Sequence, residues 1–442
     1  MSEISKEQTR KYQEAFTKNL KQQAIQRSVV KNGIKASAEN VSAAVENTPV
    51  FSVDLATGKV SNQKQSGRCW MFAALNTFRH KLLNSYHLKD FELSQNYTFF
   101  WDKYEKANYF YENILATASQ EMTSREVAFL LQTPQQDGGQ WDMIVSLFQK
   151  YGVVPKSVMP ESSSSSNSRD LNHFLNKLLR KHAMILRNLV EQQADGSTIE
   201  AKRAELLQEV YQLLVISLGT PPEQFDFEYR DEEKTYHLDQ QLTPQSFYDK
   251  YIGVDLDQYV SIINAPTADK PYNQSYTVSM LGNVVGGKPV KYLNLDIESF
   301  KQLAIRQLSD GESVWFGCDV GQSSTRDSGI MALNAFEIDQ LVDVSFEMTK
   351  AERLDYGESL MTHAMVLTGV DIVDGQSTKW KVENSWGEKV GDKGFFVMSD
   401  AWMDQYTYQI VVRKDYLSSE QLAAFEAEPV ELRPWDPMGA LA

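Results

Sequence analysis

Cysteine is almost absent from this chain, since only Cys69 and Cys318 occur among its 442 residues. A chain of this length buries enough apolar surface to fold without covalent cross-links. Two thiols do not build a disulfide framework, and such sparse cysteine is typical of proteins kept in a reducing compartment. We therefore expect no structural role for disulfide bonds.

The chain also lacks long apolar runs. No segment approaches the ~20 apolar residues that a membrane-spanning helix needs. The residues after Met1 are polar and charged, without the apolar core of a signal peptide. Metal-binding signatures such as His-Glu-x-x-His are missing too, so we expect no metal and no cofactor. These absences predict a cytoplasmic protein that makes no contact with a membrane.

Positively charged residues are also fewer than negatively charged ones. Lys and Arg number 44 against 59 Asp and Glu, which leaves a net charge of −15. An acidic surface repels phosphate backbones, so the charge argues against nucleic acid as a partner.

The pattern of apolar, polar and β-branched residues changes along the chain. Apolar residues recur at three- and four-residue steps after Cys69, which predicts a buried helix that begins at this cysteine. Five consecutive serines after Glu161 predict a flexible loop or linker. Residues 171–217 have the pattern of two amphipathic helices. Beyond residue 255, β-branched and aromatic residues predict strands, among them 364–373 and 379–383.

These changes divide the chain into five segments with different predicted roles. They are an N-terminal helical or extended segment (1–50), a helical half with the helix of Cys69 (51–160), a helical insertion (161–255), a β-rich half (256–425) and a C-terminal arm (426–442).

One cysteine and one histidine stand out as catalytic candidates. A helix N-terminus favours negative charge and so favours the thiolate, which makes Cys69 the candidate nucleophile. Cys318 lies in an apolar strand-like run and is expected to be buried and inert. Of the six histidines, only His363 lies on a strongly β-like segment, while His173 and His182 are expected to be solvated on the insertion.

Three short motifs contain or flank these two residues, and their order along the chain is informative. The segment Gln63-Lys-Gln-Ser-Gly-Arg-Cys-Trp70 contains the candidate nucleophile. Paired glycines follow in Gln136-Asp-Gly-Gly-Gln-Trp141, and Val382-Glu-Asn-Ser-Trp-Gly387 follows the strand of the candidate histidine. In this order the motifs resemble those of papain-like cysteine peptidases.

The resemblance implies a role for each matching residue. It implies that Gln63 donates to the oxyanion, that His363 is the base of Cys69, and that Asn384 orients the His363 ring. Trp70 and Trp386 would support these groups, Trp386 by shielding the His–Asn hydrogen bond from water. Gly138 and Gly139 would let the substrate backbone approach closely. Two positions depart from the family: Ser66 replaces a cysteine, and Arg68 replaces a small residue.

The implied fold is an α+β papain-like fold with a helical half for the nucleophile and a β-barrel-like half for His and Asn. In simple members, His and Asn follow the Cys by ~130–150 residues. Here the helical insertion enlarges that separation, and the chain resembles the bleomycin hydrolase and bacterial aminopeptidase C group. The group resemblance implies a homohexamer in which the insertion makes many of the subunit contacts. It also implies a C-terminal arm whose terminal residue, Ala442, binds the substrate's α-ammonium.

The sequence therefore predicts a cysteine aminopeptidase that acts on short peptides through a thioester. Other functions that use the same residues stay open at this point. An open cleft would give an ordinary cysteine endopeptidase, and transfer to an amine would give an acyltransferase. A catalytically silent binding scaffold is the remaining alternative.

Overall fold

The computed structural model describes residues 2–441 of the chain. The N-terminal segment forms four helices whose side chains are mostly exposed, in agreement with its polar composition. Ser5 and Asn19 cap the first two by accepting backbone N–H groups through their side chains. The helices are α1 (Lys6–Lys18), α2 (Leu20–Asn32), α3 (Ile34–Ala38) and α4 (Ser42–Glu46), and the short strand β1 (Val53–Asp54) follows them.

The helical half contains the predicted buried helix, and this helix begins at Cys69 as expected. Its apolar residues surround the whole helix, so it is buried on nearly every side between the other helices and the sheet. The helices of this half are α5 (Cys69–Tyr86), α6 (Gln95–Ala116), α7 (Arg125–Gln132) and α8 (Trp141–Tyr151).

The insertion packs against the helical half, because α10 (Arg169–Glu191) and α11 (Gly196–Leu218) contact both each other and α6. The prediction that the five serines form a flexible loop or linker is wrong. These serines form a short helix with Ser165 fully buried, since Ser162 and Ser165 cap each other's backbone N–H groups in a capping box. The elements are α9 (Ser163–Ser166), α10 (Arg169–Glu191), α11 (Gly196–Leu218), the hairpin β2 (Phe225–Arg230) and β3 (Tyr236–Leu242), and α12 (Pro244–Phe247).

The β-rich half contributes most of one 12-stranded sheet, which runs in the order β14-β5-β6-β4-β13-β7-β10-β11-β12-β9-β8, with β1 on β10. The strands from this half are β4 (Tyr259–Ile263), β5 (Gln274–Val278), β6 (Tyr292–Asn294), β7 (Val314–Cys318), β8 (Ser324–Thr325), β9 (Ile330–Met331), β10 (His363–Val373), β11 (Gln376–Glu383), β12 (Phe395–Ser399) and β13 (Thr407–Arg413), and the C-terminal arm adds β14 (Val430–Leu432). Its helices are α13 (Ile297–Ser309), α14 (Ile338–Val342), α15 (Lys350–Asp355), α16 (Asp400–Tyr406) and α17 (Ser419–Glu426).

The central strand β10 divides the interior into two cores. Ala364 and Val366 belong to the core that contains α5, whereas Met365 and Leu367 belong to the core on the other face of the sheet. This alternation is what a strand buried on both faces requires. None of the helices between residues 2 and 441 combines the length and apolar character needed to cross a bilayer.

A buried carboxylate joins α5 to the end of β11. Glu383 accepts from Arg79 at 2.6 Å and contacts His80 at 2.8 Å, and the Arg79 and Glu383 side chains are at most 3% exposed. Because Asn384 directly follows Glu383, the same contacts hold the end of β11 beside the nucleophile's helix.

We expect Glu383→Gln to destabilise the protein by about 3 kcal/mol or more, because it leaves the Arg79 charge buried without its counter-ion. Urea denaturation would measure the change. Glu388→Gln, at an exposed position nearby, is the matched control and should behave as wild type. An unchanged midpoint for Glu383→Gln would show that the buried Arg79 does not need this counter-ion.

Candidate active site

Cys69 lies where the helical and β halves meet. Its thiol is at the first residue of α5 and is only 3% exposed. Burial raises the pKa of the thiol to about 11, although backbone hydrogen bonding from Ala364, Trp70 and Cys69 itself opposes this shift. The contact with Ala364, the residue after His363, shows that the fold brings these two distant stretches of chain together.

His363 is the first residue of β10 and is held by Asn384. The two side chains are joined by a hydrogen bond of 2.9 Å between His363 Nε2 and Asn384 Oδ1. Because the amide oxygen only accepts, Nε2 is the protonated nitrogen, and Nδ1 is left free to act as a base. Burial lowers the pKa of His363 to about 4, and the hydrogen bond that His363 donates to Asn384 opposes this only in part.

Aromatic packing covers this hydrogen-bonded pair. The Trp386 ring lies 4.9 Å from the His363 ring, centroid to centroid. The Arg326 guanidinium stacks on Trp386 at 4.8 Å. The register between β10 and β11 explains the proximity: Val366 pairs with Glu383, so the chain after β11 runs back along the start of β10.

Gln63 lies in the loop that leads to the nucleophile, with its amide group held on both sides. Its Oε1 accepts from the Ser385 hydroxyl, and its Nε2 donates to the Ser66 carbonyl at 2.7 Å. The Gln63 backbone N–H also donates to the Ser385 carbonyl. An amide nitrogen carries two hydrogens, so Nε2 keeps a second N–H for another acceptor.

The paired glycines lie against Trp70. A Cβ added at Gly139 would come within 2.6 Å of the Trp70 ring, so only glycine fits there. The Gly138 carbonyl points to Lys106, whose ammonium donates to it at 2.7 Å. Trp70 Nε1 in turn donates to the Asp137 carbonyl at 2.7 Å. Trp70 therefore connects the helix of Cys69 to the glycine segment.

The end of the chain lies next to this glycine segment. Gln140 follows Gly139 directly, and its Nε2 donates to the Ala440 carbonyl at 2.7 Å. The Tyr292 hydroxyl donates to the Met438 carbonyl at 3.2 Å. Ala442 itself lies outside the described residues, so its predicted contact with substrate stays a prediction.

Two predictions about the remaining thiol and histidines have different outcomes. Cys318 is fully buried, as expected, and pairs with His363 across β7 and β10. The prediction that His182 is solvated is wrong: it is fully buried, with Tyr111 and Glu209 as hydrogen-bond partners. Its partner Tyr111 comes from α6, and a pattern within α10 alone did not reveal that contact.

The described residues contain no group of three or more His, Cys, Asp or Glu side chains arranged to hold a metal ion.

Sequence reasoning missed one charged group at the site. Asp137 accepts from the Gly67 backbone N–H at 2.9 Å and pairs with the buried Lys103 at 2.7 Å. Burial opposes its ionisation, but Lys103 and the hydrogen bonds hold the pKa of Asp137 well below its usual range. Its position beside the glycine pair was the only available signal, because its partners lie on other elements.

Comparison with known proteins agrees with this geometry. The Peptidase C1-like family matches residues 3–439. The chain belongs to this family. It is a cysteine-type peptidase with an α+β papain-like fold.

Relatives match the chain over its whole length. Aminopeptidase C of Streptococcus thermophilus is 60% identical over 443 residues, which cover 100% of both chains. Aminopeptidase C of Lactococcus lactis subsp. cremoris is 58% identical over 440 residues, which are 99% of this chain and 100% of that one. The crystal structure of PepW from Lactobacillus rhamnosis has a TM-score of 0.99 at 61% identity and covers 100% of both chains.

We expect His363→Ala to slow alkylation of Cys69 by iodoacetamide at pH 7 by about tenfold or more, because only the thiolate reacts. If His363 accepts the Cys69 proton, the imidazolium that forms stabilises the thiolate. The variant has no such acceptor and is left with the thiol, whose pKa burial raises to about 11. Its alkylation rate should therefore keep rising with pH above neutrality. Mass spectrometry of labelled Cys69 would measure the rates.

The exposed His173 provides the control, and His173→Ala should react like wild type. Equal alkylation rates at pH 7 for His363→Ala and wild type would exclude His363 as the group that activates the thiol.

Proposed function

We propose that this peptidase is an aminopeptidase that removes N-terminal residues from short peptides with broad side-chain tolerance. The observation that carries the proposal is the hydrogen bond from Gln140 to Ala440, which holds the chain end against the glycine segment of the candidate cleft. An arm at that position would close one end of the cleft, and a terminal carboxylate carried there would favour a substrate with a free α-ammonium. Relatives named aminopeptidase C support the same function.

In the proposed mechanism, His363 Nδ1 takes the Cys69 proton and the thiolate attacks the carbonyl of the first peptide bond. The developing oxyanion accepts from the Cys69 backbone N–H, which has no partner within α5, and from the second N–H of Gln63. A single donor of this kind contributes about 10²–10³ in rate. His363 then protonates the leaving amine, and water hydrolyses the thioester with His363 as base.

Asn384, Trp386 and the glycine pair have supporting roles in this proposal. Asn384 holds the His363 tautomer in which Nδ1 faces away from the amide. Trp386 keeps water from that hydrogen bond. Gly138 directs its carbonyl inward to Lys106, so Gly139 is the member of the pair that offers its backbone to the substrate.

The cellular setting and assembly belong to the same proposal. The scarcity of cysteine supports a reducing, cytoplasmic location. The proposed assembly is a homohexamer, and apolar side chains exposed in the N-terminal helices and the insertion, such as Leu20 at 78% and Ile216 at 75%, are available for contacts between its subunits. Peptides are the proposed substrates, and the charge of −15 supports neither membrane nor nucleic acid as a partner.

Deletion of residues 439–442 tests the arm. We expect the truncated enzyme to cleave N-acetylated peptides and internal bonds that the full chain leaves intact, because the closed end of the cleft becomes open. The measurement compares each peptide with its N-acetylated form by mass spectrometry of the products. A truncated enzyme that still requires a free N-terminus would contradict the arm's role.

Analysis of the same reaction products distinguishes an aminopeptidase from the alternative functions. Cleavage of acetylated peptides by the full chain would indicate an endopeptidase. Transfer of the acyl group to an added amine would indicate an acyltransferase. No turnover at all, with Cys69 resistant to iodoacetamide, would indicate a silent scaffold.

A further inference from the structure

We propose that Arg68 and Glu161 are positioning residues for the oxyanion side of the site, and that the insertion thereby takes part in catalysis. This inference rests on the proposed role of Gln63. Arg68 directly precedes the nucleophile, and Glu161 is the first residue of the segment predicted as an insertion. The two charges meet beneath the loop 63–69, which contains both proposed oxyanion donors.

The Arg68 guanidinium is completely buried and forms a two-pronged ion pair with Glu161. The two N–O distances are 3.1 and 2.8 Å. The guanidinium also lies over the rings of Phe72 and Phe99, at 5.1 and 5.0 Å. Burial works against ionisation of Glu161, but the Arg68 charge outweighs it and lowers the pKa of the carboxyl group. A buried cation without such a partner would be strongly destabilising, so the pair acts as a unit.

A chain of hydrogen bonds leads from this pair to Gln63. Arg68 Nε donates to the Ser66 hydroxyl at 2.9 Å, and that hydroxyl donates to the Gln63 carbonyl at 2.7 Å. The Gln63 side chain closes the ring by donating to the Ser66 carbonyl. Glu161 orients the guanidinium, the guanidinium orients Ser66, and Ser66 fixes both ends of Gln63.

Residues 166–168 of the insertion form further hydrogen bonds that hold the loop 63–69. Gln65 donates its backbone N–H to the Ser166 carbonyl at 3.0 Å. The Asn167 side chain donates to Gln65 Oε1, also at 3.0 Å. Ser168 donates its hydroxyl to Asp137, whose carboxylate accepts the Gly67 N–H. The insertion therefore contacts the loop at several consecutive residues and is not only an outer surface for subunit contacts.

Arginine is the residue type that this arrangement requires. Its fork of five N–H donors can face a carboxylate with two prongs while Nε serves a third partner. Lysine would keep the positive charge but lose this fixed geometry. The substitution Arg68→Lys therefore separates the effect of the charge from that of the hydrogen-bond chain.

The experiment compares two reactions of Cys69 in Arg68→Lys and Glu161→Gln. Hydrolysis of an aminoacyl amide reporter passes through an oxyanion, whereas alkylation by iodoacetamide displaces iodide from carbon and forms none. We expect kcat for hydrolysis to fall by about tenfold or more with KM changed less than threefold. The alkylation rate should stay within twofold of wild type. Inhibition by a peptide aldehyde, which forms a tetrahedral adduct, should weaken along with kcat.

Two additional variants make the result decisive. Glu209→Gln is the control, because Glu209 is an insertion carboxylate whose ion-pair partners are Lys181 and His182, and it should change neither reaction. In a Gln63→Ala background, Glu161→Gln should cause no further loss, because the residue that it positions is gone. Thermal unfolding of every variant shows that the assays run on folded protein.

Two kinds of result would contradict this proposal. If Gln63→Ala lowers kcat but Arg68→Lys and Glu161→Gln do not, the oxyanion role of Gln63 stands and the positioning role is overturned. A parallel fall of alkylation and hydrolysis also overturns it, since the pair would then act on the thiol or on the fold. If Gln63→Ala itself retains full kcat, the proposed oxyanion role fails, and this inference fails with it.

Discussion

The contact between the start of α5 and the start of β10 is the constraint on which the rest of this molecule depends. It brings the Cys69 thiol beside the backbone of Ala364, although the two residues come from different halves of the fold. The two cores on either side of β10 keep this strand in place. The Glu383 carboxylate adds a charged connection from β11 back to α5. With these contacts in place, single hydrogen bonds between His363 and Asn384 and between Ser385 and Gln63 orient the side chains of the site.

Two buried ion pairs also contribute to this junction. Asp137 with Lys103 and Glu161 with Arg68 hold the loop before the nucleophile from two directions. Buried ions of this kind add little net stability compared with apolar packing, but they demand one geometry. In a peptidase, donors already aligned with the oxyanion require little reorganisation during the reaction. The buried charges are therefore better understood as devices for positioning than as sources of stability.

Sequence patterns predicted the local features of this protein well. The start of α5 at Cys69 and the two long insertion helices follow from apolar periodicity. The Gln63, His363 and Asn384 motifs were visible because each is a short segment with several matching residues. The pairing of Arg68 with Glu161 was not visible, because ion pairs between distant segments leave no periodic signal. The buried position of His182 was missed for the same reason, since its partner Tyr111 lies on another helix.

The sequence by itself determined which side chains are available for chemistry: one thiol at a helix start, one histidine on a strongly β-like segment, and an amide after the next strand. These follow from local pattern, because periodicity and short motifs depend on neighbours along the chain. Only the tertiary structure decided which of them meet, that Nε2 of His363 faces Asn384, and that a serine-rich segment lies beneath the nucleophile loop. Those outcomes depend on packing and on the cost of burying unpaired polar groups, which is decided across the whole fold.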